Sequence, residues 1–376
     1  MKAPIFFFCC LLFFSCARQV SFDNALDAAL ASSNEKIKRV MDNLQPYQVQ
    51  IRFTHIDRVG DSLIFTDYDF QVETDDYFYP ASTVKFPAAV SALEKLNELD
   101  SLNKGVTFYV EGDSVETTFA RAIEEIFAVS DNDANNRLVE FMGFDDLNQR
   151  IQNKGAGPIR ISHRLSTSNA DDVTTKPLVI YKNDSSTVVS QSIISAPLKE
   201  LALENIRKGK GFYAGDSLYT EPFHFGLKNY YPISTQHEVL RRVIFPEVFD
   251  GDKRFNLSVE QHDFLLKSMA VLPYQAGYAR DEYYDGYVKF FMFGDSKEPI
   301  PEHIKIYNKV GYAYGTLTDC AYIKDTRNHV DFMITATILV NEDGIFNDDN
   351  YEYDEVGIPF LAQLGREIYD FELKNQ

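Results

Sequence analysis

Tyr79-Pro80-Ala81-Ser82-Thr83-Val84-Lys85-Phe86 places a serine one helical turn before a lysine, where an apolar helix begins. A hydroxyl is a poor nucleophile at neutral pH unless a nearby base can take its proton. Residues three apart on a helix share a face, so Lys85 is placed to lie against Ser82. The residues that follow (Val84, Phe86, Ala88, Ala89, Val90, Ala92, Leu93, Leu96) are apolar around most of the helix and predict burial to about Leu99. Burial favours the neutral amine that a base must be. A helix start also aims N–H groups and a positive partial charge at the serine, where an oxyanion would form. Alone, the S-x-x-K spacing is a weak signal, because two defined positions match easily by chance.

Two further stretches change its weight. Val129-Ser130-Asp131-Asn132-Asp133-Ala134-Asn135 lies between two helical stretches and reads first as a cluster of helix-capping side chains. A calcium loop fails here, since Asn136 stands where the glycine is needed and Met142 where the bidentate glutamate is needed. Tyr307-Asn308-Lys309-Val310-Gly311-Tyr312-Ala313-Tyr314-Gly315-Thr316 joins a strand end to a lysine and to a glycine that would let a ligand approach the backbone.

In chain order the three read S-x-x-K, S-D-N and K-x-G, and this set resembles that of class A β-lactamases and penicillin-binding proteins. Tyr314 to Asp319 resembles the turn and strand after that family's K-T-G. Arg164-Leu165 resembles the entrance to its omega loop, and Ser234 to Phe245 the helix beyond. The resemblance implies a role for each matching position. Ser82 would be the acylated nucleophile, Lys85 its base, and Ser130 the hydroxyl that passes a proton to the leaving nitrogen. Asn132 would bond the substrate's side-chain carbonyl and Lys85, and Lys309 would hold the substrate carboxylate and tune Ser130. The N–H groups of Ser82 and Tyr312, beside Gly311, would form the oxyanion hole. Asp131 would brace its loop.

The sequence departs from that pattern twice. Val310 replaces the middle hydroxyl of K-T-G, and loss of one hydrogen bond to a charged group costs about 1.5–3 kcal/mol of affinity. After Arg164-Leu165 the chain reads Ser166-Thr167-Ser168-Asn169-Ala170-Asp171-Asp172, without the glutamate that activates water in class A enzymes. Asp171, Asp172, Glu200, Glu204 and Glu221 are the carboxylates considered in its place, and each reads as a solvated surface acid. The expectation is therefore acylation by a β-lactam or a peptidoglycan-like D-Ala-D-Ala amide, with turnover in doubt. The competing reading is a cell-envelope binding protein that kept the fold and lost turnover.

Composition sets the surroundings. The chain has 376 residues, 45% of them hydrophobic, and a net charge of −19, which disfavours nucleic acid and anionic membrane surfaces as partners. Lys2, the apolar Ile5 to Phe14 and Ser15-Cys16 read as a lipoprotein-type export signal over residues 1–16, with a linker over 17–23. Cys16 would carry the lipid and form the only membrane attachment of an exported, periplasmic protein. Cys9 and Cys10 would leave with the signal, so Cys320 would have no disulfide partner. The pattern shows no G-x-S-x-G elbow and no paired histidine spacing for a metal, and no cofactor motif. His163, His224 and His237 read as surface or satisfied core residues, and Asn341 to Glu355 as a solvated loop.

The elements predict an α+β fold over residues 24–376. An antiparallel sheet built from both chain ends (24–80 and 285–376) would sit beside a mainly helical part (81–284). Helical periodicity covers Asn24 to Leu44, strands are expected at Gln48 to Phe53, Ser62 to Phe65, Val288 to Phe293, Ile304 to Val310, Cys320 to Ile323 and Phe332 to Val340, and a closing helix at Ile358 to Phe371. An enlarged omega-loop region, about 160–233, reads as partly irregular.

Overall fold

A computed structural model describes residues 21–99, 101–183 and 185–375, so the export signal and the lipidation of Cys16 lie outside the described residues. Five antiparallel strands form the main sheet: β1 (Gln50–Val59), β2 (Ser62–Phe70), β3 (Ile304–Ala313), β4 (Thr316–Asp325) and β5 (Asp331–Leu339). Their order is β3-β4-β5-β1-β2, which makes one sheet from both chain ends. The register sets Gln50 opposite Thr337 and Lys309 opposite Cys320. β4 and β5 are buried on both faces, and their β-branched and aromatic residues suit that place. β2, at the sheet edge, alternates between exposed and half-buried residues.

Among the described residues, nine helices of six residues or more cover the sheet or extend from it: α1 (Ala25–Leu30), α2 (Glu35–Met41), α3 (Lys85–Asn97), α4 (Phe119–Ala128), α5 (Asn132–Met142), α6 (Phe144–Asn153), α7 (Ile233–Ile244), α8 (Val259–Ala270) and α9 (Ile358–Lys374). α9 packs with α1 and α2, and its Phe360, Leu361, Leu364 and Ile368 join the core that includes Ile334 and Ile338 of β5. α7 packs against β1, β4 and β5. α3 packs against α4, α5 and α6 and buries nearly every residue; burial of each large apolar side chain such as Phe86 or Leu93 is worth about 1.5–3 kcal/mol. The expected α+β architecture is the one observed.

Two local expectations fail. The Asn24 to Leu44 periodicity is broken into α1 and α2, because Asn34 caps a new start by accepting the Lys36 N–H. Val288 to Phe293 is no strand. It is a 3₁₀ turn (Asp285–Val288) running into a kinked helical turn (Phe290–Phe293). Asp319 accepts the N–H groups of Phe290 and Phe291, and Gly286 packs so close that a Cβ would lie 2.2 Å from the Phe293 carbonyl. Those contacts come from distant β4 and from close packing, neither of which periodicity records.

The region after Arg164 is held by small sheets. Leu178–Asn183 pairs with Thr107–Val110 and Ser186–Val189, and Gly211–Ala214 pairs with Ser217–Tyr219 and Ile345–Phe346. Tyr77, Tyr79, Phe225, Tyr230 and Phe346 form a separate aromatic cluster that seats this region beside the Ser82 segment.

Candidate active site

Ser82 sits in a 3₁₀ turn, Ala81–Val84, immediately before α3. Ala81 is held at φ +47°, a left-handed conformation that costs an L-residue energy and is kept only where the surroundings enforce it. One enforcing element is β3. At Gly311 an added Cβ would lie 2.6 Å from Ser82 N, 2.8 Å from Thr83 N and 2.9 Å from Pro80 O, so only glycine lets the strand reach this turn. Ser82 is half-buried and lines a cavity of about 520 Å³ together with Asn132 and Tyr312.

The second motif comes in from the other side. Ser130 adopts φ +59°, and Asp131 caps α5 by accepting the Ala134 N–H at 2.7 Å. That turn aims Ser130 and Asn132 at the two lysines. Lys85 Nζ donates to the Ser130 carbonyl and to Asn132 Oδ1 (2.7 Å), and lies 3.3 Å from Ser130 Oγ. Lys309 Nζ donates to Ser130 Oγ (2.8 Å) and to the Val310 carbonyl (2.7 Å). One hydroxyl therefore stands between two buried amines.

Burial sets the charge of both. It pulls Lys85 from 10.5 down to about 7, against the pull of Asp131 and Asp133. Lys309 is held well below its ordinary value by burial and by Lys85 beside it, with Asp319 opposing. With its N–H groups committed to two carbonyl oxygens, a neutral Lys85 keeps its lone pair free to take a proton.

The loop after Arg164 closes the cavity. Asn136 clamps Leu165 through both backbone groups (2.8 and 2.9 Å), and Asn132 Nδ2 donates to Ser166 Oγ at 3.0 Å. Arg164 makes a two-bond ion pair with Glu140 (2.6 and 2.9 Å), both buried, and donates to the carbonyls of Asp172 and Thr174. None of the five carboxylates considered at the sequence level lines the cavity. Asp171, Asp172, Glu200, Glu204 and Glu221 are all exposed, and Asp171 lies 3.8 Å from Lys228.

Of the residues expected from sequence, Ser82, Asn132 and Tyr312 line the cavity, Lys85, Ser130 and Lys309 join it through Asn132, and Gly311 packs on Ser82 N; among the described residues the Ser82 hydroxyl makes no hydrogen bond to Lys85. Val310 does not face the cavity: it is buried in the core beneath the sheet, so no substrate contact is missing from the cavity wall at this position. His237 is a satisfied core residue between Thr54 Oγ1 (2.7 Å) and Thr335 Oγ1 (2.9 Å). His163 is buried too, with its Nδ1 bonded to the Arg164 carbonyl at 2.7 Å, but it lines the cavity, and burial lowers it to about 4. Sequence reasoning missed Asn347, Asp349, Tyr351 and Tyr353, which line the cavity from a stretch read as a solvated loop. No periodicity marks them.

Residues 32–210 match the model of the β-lactamase enzyme family. That match covers somewhat under half of the chain and makes it similar to that family. Its fold is similar to that of the β-lactamase from Sphaerobacter thermophilus (TM-score 0.51, 14% identity, 93% of this chain and 96% of that one). It is also similar to the class A β-lactamase from Mycobacterium abscessus (TM-score 0.51, 14% identity, 90% and 97%). PBP-A matches with a TM-score of 0.52 at 13% identity, over 90% and 94% of the two chains. No curated protein sequence matches it. At such identities the likeness shows the fold, and the chemistry must be argued from the residues themselves. Among the described residues no helix is long and apolar enough to cross a membrane.

Proposed function

We propose that the protein is an exported serine acyltransferase or hydrolase that forms an acyl-enzyme through Ser82 with a β-lactam or a related D-Ala-D-Ala-type amide. The observation that carries this reading is Ser130 held between Lys85 and Lys309, with Ser82 and Asn132 on the wall of the same cavity. Neutral Lys85 takes the Ser82 proton as Oγ attacks the carbonyl carbon. The N–H groups of Ser82 and Tyr312 receive the developing oxyanion. Ser130 then delivers a proton to the leaving nitrogen and is resupplied by Lys85 or Lys309, while Asn132 bonds the carbonyl on the acyl side. Lys309 meets the substrate carboxylate and regains its proton there, since an adjacent anion favours the ammonium. Attachment of the exported chain through Cys16 remains part of the same proposal.

A penicillin-binding or peptidase character, with a long-lived β-lactam adduct, is favoured over fast lactam turnover by one observation. Among the described residues the cavity is lined by a single carboxylate, Asp349, which is exposed, while Leu165 and Ser166 occupy the loop beside Asn136 and Asn132. A fluorescent penicillin tests both statements. Covalent labelling that Ser82→Ala abolishes, with an adduct that persists for hours by mass spectrometry, is expected. Absence of any adduct at high ligand concentration would sink the acylation reading. Rapid loss of the adduct together with hydrolysis of a chromogenic cephalosporin would sink the slow-release reading.

A further inference from the structure

The cavity does not end at Ser82. It continues along a wall of tyrosines, Tyr312 and Tyr314 at the end of β3 and Tyr351 and Tyr353 from the stretch Asn341 to Glu355. The rings are braced against one another: Tyr312 meets Tyr353 edge-on at 5.3 Å, and Tyr351 lies 5.3 Å from Tyr353. Both outer hydroxyls are tied to backbone, Tyr351 accepting from Asn347 N and Tyr353 from Gly315 N, each at 2.8 Å. Such rings offer rigid π-faces, whose negative centres attract cations.

Asp349 stands on this wall. It is exposed, held at φ +60°, and among the described residues it makes no ion pair or side-chain hydrogen bond. Its neighbour Asp348, by contrast, accepts the Asn350 N–H. Lys228, the lysine on the cavity's lining, is placed 3.8 Å from Asp171, and lining Arg164 is tied to Glu140. Asn341 to Glu355 contains seven acidic residues and no lysine, arginine or histidine, and of those seven Asp349 is the one that lines the cavity.

We infer that this arm is a subsite for an ammonium group carried on the acyl portion of the substrate, recognised by Asp349 and the tyrosine faces. The inference rests on the acyl-enzyme reading and adds a substrate class to it: acyl donors with an amine at the end remote from the scissile bond. The substrate carboxylate would meet Lys309 on the leaving-group side, so one molecule would present opposite charges to the two ends of the cavity.

Two penicillins made on one nucleus test this, one acylated with 6-aminohexanoic acid and its neutral partner with heptanoic acid. The readout is the ratio of their acylation efficiencies at Ser82, followed by intact-protein mass spectrometry. A partly exposed ion pair reinforced by aromatic faces predicts a preference of about tenfold for the ammonium probe at low salt. That preference shrinks as ionic strength rises. Asp349→Asn should bring the ratio close to one and Asp349→Lys should invert it, with unchanged thermal midpoints showing that both variants fold. Equal acylation of wild type by the two probes overturns the inference, as does a preference that survives Asp349→Asn. If the neutral probe acylates Ser82 without any ammonium preference, only the subsite falls; if neither probe acylates, the acyl-enzyme reading falls with it.

Discussion

The charge state of Lys85 makes acylation pH-dependent in a direction and over a window that the structure specifies. Burial holds this amine at about 7, and only its neutral form can accept the Ser82 proton. The neutral fraction is then about 0.09 at pH 6, about one half at pH 7 and about 0.9 at pH 8, from one pKa unit per tenfold change in the ratio. Acylation efficiency should thus rise roughly tenfold between pH 6 and 8 and level off above. Lys309 adds a second effect. As it loses its proton with rising pH it holds the substrate carboxylate less well, so a penicillin should gain less from rising pH than an acyl thioester lacking the carboxylate. Stopped-flow labelling with both donors, in buffers of constant ionic strength, separates the two. A flat or falling profile for the thioester between pH 6 and 8 would refute Lys85 as the base. The same shift has a stability consequence. Lys85 titrates near 10.5 when unfolded and near 7 when folded, so between those values the unfolded chain binds more protons. This contribution to stability therefore rises with pH across that window, and the penalty is fully present below it.

Two further outcomes follow from single contacts. Gly311→Ala should reduce penicillin labelling by at least about a hundredfold, the range seen when an oxyanion donor is displaced, because its Cβ would sit 2.6 Å from Ser82 N. Circular dichroism should show a retained fold, and normal labelling by this variant would contradict the close approach of β3. Arg164→Met should lower stability by about 3–5 kcal/mol, the cost of stranding the buried Glu140 charge. The double variant Glu140→Met/Arg164→Met should recover much of that in chemical denaturation, and equal loss in both would show that the charge is not what matters.

The chemistry-bearing motifs were legible because each is a local statement. Ser82 and Lys85 are one turn apart, Ser130 to Asn132 open one helix, and Lys309 to Gly311 end one strand. The alternation of β1 and β2 and the apolar runs of β4, β5 and α3 also follow from backbone period and burial. The failures share a cause. Val288 to Phe293 has the composition of a strand, but Asp319 on β4 collects its N–H groups and turns it. Val310 sits in the lysine motif, yet the strand's two-residue period sends its side chain into the core while Lys309 meets Ser130 on the other side.

By itself, the order of residues determined the α+β class and picked out the five polar residues at the centre of the candidate site, since periodicity and short spacing are carried by near neighbours. Only the tertiary structure decided the state and reach of that centre. Lys85 and Lys309, 224 positions apart in the numbering, are placed on one Ser130 hydroxyl, and it is their shared burial that lowers both amines. Asp349 and Tyr351 reach the Ser82 cavity through the packing of Phe346 with Phe223 and Phe225. Desolvation and long-range packing depend on everything around a residue, and no window of sequence contains that.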